Sequence, residues 1–374
     1  MRKSLESVDV CARIDGLTQP APAPLMKKFQ VTIVNSGSRF TVREGESVLS
    51  AALRQGVMLP YSCKNGTCGS CKGHLVEGEV HYPFHPPLAL DRKEIAAGDT
   101  LLCQAEPLED LVVQAREIEA VRDIPVRQMP ARVIVKELLA PNVMKLVLKL
   151  PRAQRLQYLA GQYIDILLPG GKRRAFSIAS PPSSEDEIEL HVRHVEGGDF
   201  TGYVFEELKL RDILRLEGPL GTFFVRHDGL QRPMIMMGGG TGFAPLKAMI
   251  EDLLAHGDTR PIHLFWGART APELYHEALI RQWVQAHSHI RYTSAVSEPS
   301  DERAQAGFAG FVHEAVLDAH PDLAEFDVYM SGPPAMIDAA RHAFLQHGLP
   351  AERLFYDSFE FGSDVPVRIL ARPH

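Results

Sequence analysis

Apolar and polar residues alternate in steps of two over residues 29–42, through Gln30-Val31-Thr32-Ile33-Val34 and Arg39-Phe40-Thr41-Val42, around Asn35-Ser36-Gly37. A two-residue period broken by a turn predicts a β-hairpin. The period then lengthens. Ser47 suits a helix cap, and Val48, Leu49, Ala52 and Leu53 form one apolar stripe ending near Gly56, which predicts a short helix. Glu77-Gly78-Glu79 reads as a turn and 100–105 as a strand, so residues 27–117 are expected to form one α+β domain. Charged residues 117–127 and Pro130 read as a linker. Short strand patterns then recur at 131–138, 143–150, 162–168, 174–180, 187–194 and 213–217, the spacing of an antiparallel β-barrel over 128–228. From Pro233 strands and helices alternate: 234–237, 244–255, 262–266, 273–286, 290–295, 311–319, 328–330 and 336–346. That order predicts a third domain, 233–374, with a parallel sheet and helices on both faces.

The chain has 374 residues, which fits two or three domains. Hydrophobic residues make up 45% and charged ones 23%, the balance of a globular protein. A formal net charge of −7 gives no reason to expect nucleic acid or an anionic membrane surface as partner, since both call for clustered positive charge. No apolar run is long enough to span a bilayer. Arg2 and Lys3 are followed by Glu6, Asp9 and Asp15 without an apolar stretch, unlike a secretory or transit segment. Residues 1–26 end in Gln19-Pro20-Ala21-Pro22-Ala23-Pro24 and are expected to be a flexible extension that carries an unpaired Cys11.

The other four cysteines change the picture. Cys63-x4-Cys68-x2-Cys71, then Cys103, is the spacing that holds a plant-type [2Fe–2S] cluster. The intervening Lys64-Asn65-Gly66-Thr67 and Gly69-Ser70 are small enough for a loop to wrap the cluster and turn its amides toward sulfur. A structural zinc site would ordinarily show two Cys-x2-Cys pairs, and a disulfide framework is the other bland reading. Thiolates committed to iron suit a reducing cytoplasm.

A second loop points to a nucleotide. The apolar strand Met234-Ile235-Met236-Met237 runs into Gly238-Gly239-Gly240-Thr241-Gly242-Phe243-Ala244-Pro245. Pro245 suits a first helical position, Leu246, Met249, Ile250, Leu253 and Leu254 follow at helical spacing, and Gly257 closes the helix. A glycine loop feeding a helix N-terminus offers bare N–H groups and positive dipole to a pyrophosphate. The loop departs from the Rossmann fingerprint at Phe243 and lacks the Gly-Lys-Ser/Thr of a Walker loop, so alone it also fits a plain strand-to-helix turn.

The cysteine pattern, Arg174-Ala175-Phe176-Ser177, the glycine loop and Ser331-Gly332-Pro333-Pro334 stand in an order that resembles the single-chain NADH-dependent flavin and [2Fe–2S] reductases. That family includes the reductase components of ring-hydroxylating oxygenases, phenol hydroxylase and methane monooxygenase. Over about residues 27 to 361 the likeness is strongest to the CDP-6-deoxy-3,4-glucoseen reductases, through stretches such as 157–163 and 217–224. The resemblance implies a plant-type ferredoxin domain, an FAD-binding barrel and an NAD-binding domain. Arg174 would pair with a flavin phosphate, Phe176 would pack on the ring and Ser177 would bond its polar edge. His191, Val192, Arg193, Gly198 and Thr201 would form the second flavin segment, where amides and a hydroxyl meet the pyrophosphate. His191 and His194 are not read as a metal pair, because three residues apart on a strand they face opposite ways.

For NADH, the resemblance implies Gly238, Gly239, Gly240, Thr241, Gly242 and Pro245 at the phosphates, with Gly332 and Pro333 beside them. Trp266, Arg269 and Glu273 would flank the adenosine. Ser331 stands where many relatives have cysteine at the nicotinamide, and Phe359, in Tyr356-Asp357-Ser358-Phe359-Glu360-Phe361, belongs to the tail that shields the flavin. These two are the expected catalytic positions. The activity implied is transfer of electrons from NADH through FAD and the cluster to a partner protein, either a sugar dehydratase acting on CDP-linked deoxysugars or an oxygenase. A redox sensor holding flavin and cluster without turnover is the rival from another class.

Overall fold

A computed structural model describes residues 27–83, 86–184, 186–227, 231–298 and 307–359; the N-terminal extension, Cys11, Glu360 and Phe361 lie outside them. Among the described residues three large sheets follow one another along the chain, with a two-stranded ribbon beside the first.

The first contains β1 (Lys28–Ile33), β2 (Arg39–Arg43), β3 (Lys72–Glu77), β5 (Asp99–Leu101) and β7 (Leu111–Gln114) in the order β2-β1-β7-β3-β5, with β4 (Val80–His81) and β6 (Glu106–Pro107) paired separately. Helices α1 (Val48–Arg54) and α2 (Arg92–Ala96) lie between the strands. Ser47 caps α1 by accepting the Ser50 amide, and Val48, Leu49, Ala51 and Ala52 bury the stripe the sequence shows. Cys103 stands in the turn just after β5 rather than within a strand, so its sulfur is carried by loop backbone like the other three.

The second sheet holds β8 (Arg127–Ala140), β9 (Val143–Lys149), β10 (Tyr163–Leu167), β11 (Arg173–Ser177), β12 (Glu187–Arg193) and β13 (Ile213–Leu220) in the order β11-β10-β13-β8-β9-β12, all antiparallel. A bridge between Ile178 and Leu190 joins its two ends and closes the barrel. Alternate residues such as Val133, Leu146, Leu148, Ile164, Ile188 and Leu216 fill the interior. Helix α3 (Asp199–Glu206) follows β12.

The third sheet is wholly parallel: β14 (Met234–Gly239), β15 (Ile262–Ala268), β16 (Ile290–Val296), β17 (Phe308–Ala309), β18 (Asp327–Gly332) and β19 (Leu354–Ser358), ordered β17-β16-β15-β14-β18-β19. Helices α4 (Phe243–Ala255), α5 (Glu277–Ala286), α6 (Val312–Ala319) and α7 (Pro334–Gln346) connect the strands. Every residue of β14 and β18 is buried, as a sheet covered on both faces requires. Helix α5 starts four residues later than its sequence pattern suggests, because Ala271–Glu273 form a separate turn with Pro272 as its second residue. Among the described residues no helix is long and apolar enough to cross a membrane.

Candidate functional site

The cysteine loop brings four sulfurs together. Cys68, Cys71 and Cys103 are buried and Cys63 half-buried, and none is in a disulfide. The Cys63 thiol contacts those of Cys103 and Cys68, and Cys103 also contacts Cys71. Those contacts hold Cys63 far below the usual thiol range and push Cys68 and Cys103 far above it, since clustered thiols resist carrying several charges at once. Cationic iron reverses that preference, so the donor set fits an iron–sulfur centre. The amides of Asn65 and Ser70 donate to Cys63 Sγ and Cys68 Sγ at 3.4 and 3.5 Å. Gly69 has φ +78°, and a side chain there would begin 3.4 Å from the Tyr356 hydroxyl, so β19 closes over the loop.

The loop is fastened to the barrel beside the Arg174-Ala175-Phe176-Ser177 strand. The Tyr61 amide donates to Thr222 Oγ1 at 3.0 Å and the Tyr163 hydroxyl donates to the Ser62 carbonyl at 3.1 Å. Tyr163 is the cross-strand partner of Ser177. Asp357, on β19, completes the contact: its Oδ1 accepts from Ser62 Oγ at 2.5 Å and its Oδ2 from Ser177 Oγ at 3.3 Å. One buried carboxyl thus joins the residue before Cys63, the end of β11 and the third sheet. Burial raises its pKa, against the two serine hydrogen bonds. Arg174 and Phe176 are half-buried, and the Phe176 ring lies 5.5 Å from that of Phe200 on α3.

At the third sheet, strand order reverses between β14 and β18, and ligands of such sheets sit outside the carboxyl ends at that reversal. Gly238 pairs with Ser331 there. Gly240–Gly242 turn once before α4, and a Cβ at Gly242 would stand 2.0 Å from the Ser331 carbonyl oxygen. Trp266 Nε1 donates to the Gly240 carbonyl at 2.9 Å, and Phe243 stacks on Trp266 at 4.3 Å. The bulky Phe243 therefore supports the turn from beneath. The Ser331 hydroxyl is buried with no hydrogen-bond partner among the described residues, a polar atom suited to a nicotinamide. The Phe359 amide donates to the Gly332 carbonyl at 2.9 Å, which holds the backbone of Phe359 beside the residue that follows Ser331. From the barrel, Arg193 Nη1 reaches to within 2.8 Å of where a Gly240 side chain would begin.

Three domain-family models match in the same order. Residues 31–108 match the 2Fe-2S iron-sulfur cluster binding domain, 130–225 the oxidoreductase FAD-binding domain and 236–342 the oxidoreductase NAD-binding domain. The CDP-6-deoxy-L-threo-D-glycero-4-hexulose-3-dehydrase reductase of Yersinia pestis is 41% identical over 331 residues, covering 88% of this chain and 98% of that protein. The chain belongs to the [2Fe–2S], FAD and NAD reductase family. The phenol 2-monooxygenase reductase component of Pseudomonas sp. strain CF600 is 42% identical over 342 residues, 90% of this chain and 96% of its own. Among solved structures, the cytochrome P450 reductase GcoB of Amycolatopsis superposes with a TM-score of 0.71 at 33% identity, covering 88% of this chain and 98% of that one. This reductase is accordingly an NAD(P)H-dependent iron–sulfur flavoprotein oxidoreductase with [2Fe–2S], FAD and NADH as its cofactors.

Several side chains in the reductase sit differently from the sequence expectation. The His191 ring is buried between barrel and third domain, bonded to Glu189 at 2.8 Å and the Tyr275 hydroxyl at 3.1 Å, and burial lowers its pKa. Its neighbours are Glu189 and His276, with Lys247 Nζ 3.5 Å from Glu189, rather than His194. Val192 belongs to the barrel core, so only backbone and Arg193 remain available in that segment. The Thr201 hydroxyl is spent on closing its own turn, accepting from the Val195 amide at 3.1 Å, and Gly198 caps α3 with no side-chain bond. Trp266 is fully buried and does not line a surface. Arg269 stays exposed and pairs with Glu273, which also pairs with Arg193. Pro245 is the third residue of α4, still in the turn that needs no internal N–H. Sequence reasoning missed Asp357, Tyr163 and Thr222 as site residues; each acts across domains, and no local pattern marks such a pair.

Proposed function

We propose that this reductase feeds electrons to a sugar dehydratase acting on CDP-linked deoxysugars in a reducing cytoplasm, through the contact that Asp357 makes between the cysteine loop and the flavin strand. The dehydrase reductases of Yersinia, aligned over almost their full length, support that acceptor. Four unpaired cysteines suit the compartment. When bound, NADH supplies a hydride, FAD accepts it, and the cluster passes the electrons on one at a time.

Cys63, Cys68, Cys71 and Cys103 hold the iron. Arg174 offers a forked guanidinium to a flavin phosphate, Phe176 packs on the flavin, and Ser177 keeps its hydroxyl oriented through Asp357. Arg193, the amides of 191–193 and the start of α3 at Gly198 face the flavin pyrophosphate, with Thr201 shaping that turn. Gly238, Gly239, Gly240, Thr241, Gly242 and Pro245 present the nucleotide turn, Gly332 and Pro333 flank it, and Arg269 lies toward the adenosine. Ser331 and Phe359 shape the place where hydride moves, the first by its unpartnered hydroxyl and the second by covering it.

The observation that carries the electron path is the single carboxyl shared by Ser62 and Ser177, which links the residue before the first cluster ligand to the flavin strand, while the choice of acceptor rests on the likeness to the Yersinia dehydrase reductases. A second acceptor, a phenol-type oxygenase, is favoured by the equally similar Pseudomonas component. Purified holoprotein and NADH, mixed in turn with a CDP-hexulose dehydratase and with a phenol hydroxylase, should form product with the first. Product only with the second transfers the assignment to an oxygenase. Flavin and cluster present without steady NADH consumption on cytochrome c would make the protein a sensor.

A further inference from the structure

At the amino ends of β18 and β19, the end of the sheet opposite the glycine loop, a cleft of about 360 Å³ is lined by Arg116, Arg226, Arg232, Glu352, Arg353 and Phe355. Arg232 is answered by Asp327 at 2.9 Å, and Arg353 Nη1 donates to the Ala324 carbonyl at 2.6 Å. Arg226 is only partly answered. Its Nη2 donates to the Thr222 carbonyl at 2.8 Å, while Nε and Nη1 are buried with no hydrogen-bond partner among the described residues. The guanidinium carbon lies 3.8 Å from the Phe224 ring centre and 5.1 Å from that of Phe355. Ring faces satisfy part of its charge but none of its N–H groups. Burial, reinforced by the charge of Arg116, pulls the Arg226 pKa down to about 10.

We propose that this cleft is a binding site for a phosphoryl oxyanion, with the half-buried Arg226 as its anchor and Arg116 as its exposed second contact. Glu352 and Asp327 offset two of the four arginines, so the lining keeps two positive charges, which a dianionic phosphoryl group neutralises. The volume lies at the small-ligand end of binding sites, roughly 300–1,000 Å³, so a phosphate or a small phosphate ester fits. Arg116 leads out of the first domain after β7, Arg226 follows the barrel, and Arg353 precedes β19. One anion therefore touches all three domains. The site is distinct from the nucleotide loop, which lies at the carboxyl ends of the strands.

The test is equilibrium dialysis of the holoprotein against labelled inorganic phosphate or phenyl phosphate, at constant ionic strength and with saturating NAD⁺ to fill the glycine loop. Saturable binding of about one phosphate per chain is expected, roughly tenfold weaker in Arg226→Met and severalfold weaker in Arg116→Ala, with ferricyanide reduction by Arg116→Ala unchanged. Arg116→Glu should abolish binding, which decides the matter if Arg226→Met does not fold. Tighter binding of phenyl phosphate identifies an ester as the occupant, and equal binding identifies free phosphate. No saturable binding, binding displaced by NAD⁺, or wild-type binding by both Arg116 variants overturns the proposal.

Discussion

As proposed, the cysteine loop and the glycine loop each hold a charged group, but the first would do so with side chains and the second with bare backbone. Four thiols converge from one turn and one distant residue, and their identity alone names the chemistry. In the glycine loop the proposed working groups are peptide N–H donors, and what matters is which side chains are missing: a methyl group at Gly242 would meet the Ser331 carbonyl oxygen at 2.0 Å. A side-chain site therefore fails when a ligand is removed, whereas a backbone site fails when an atom is added.

The largest effect should come from removing a ligand. Cys68→Ser is expected to bleach the cluster and cut cytochrome c reduction by roughly 100-fold or more, while NADH still reduces the flavin. Stopped-flow absorbance separates the two steps. Equal loss of flavin reduction in a folded variant would break the division of labour between the loops.

Adding an atom comes next. Gly242→Ala must push β18 away from the turn, a strain of about 1–3 kcal/mol, and should raise the KM for NADH roughly tenfold with cluster absorbance unchanged. A KM equal to the parent would mean that the turn adapts and that the contrast between the loops is weaker than the geometry indicates.

The same contrast governs what the sequence reveals. Cysteine spacing is readable because ligand identity survives in a linear string. The barrel and the parallel sheet are readable too, because strand patterns such as 143–150 and 234–237 carry their period locally. The glycine loop alone is ambiguous, since its meaning depends on β14 lying beside β18 at the reversal of strand order, a pairing between segments far apart in the chain. Asp357 and Ser62 are 295 positions apart, and neither carries a signature. His191 shows the converse: its place in a flavin-type segment is legible, but its ring turns toward Tyr275 because the third domain packs there.

Asp357 tests the joint between the two loops. Asp357→Asn keeps the shape but replaces one charged acceptor oxygen by an N–H donor, so one serine must turn from donating to accepting and the bond weakens, at about 1 kcal/mol. Flavin-to-cluster transfer should slow about fivefold, with flavin reduction by NADH intact. Burial raises the Asp357 pKa, so the folded state holds that proton more tightly than the unfolded chain. Its contribution to stability is full at low pH and is lost as pH rises from the ordinary carboxylate value through the raised one. The melting temperature of Asp357→Asn should lack that decline, and parallel pH profiles for the two proteins would assign the titration elsewhere.

The smallest effect belongs to Ser331, where a side chain and the backbone turn meet. Its hydroxyl is buried and has no partner among the described residues, and the nicotinamide position proposed above would supply one. Cysteine there keeps the size approximately, is less costly to bury without a partner, and supplies polarizable sulfur. Ser331→Cys should therefore speed flavin reduction by NADH about two- to fivefold and raise the melting temperature slightly, whereas Ser331→Ala should gain the stability without the rate. Equal rates in the two variants would show that only relief of the orphaned hydroxyl matters, and that this position shapes the pocket without acting on the hydride.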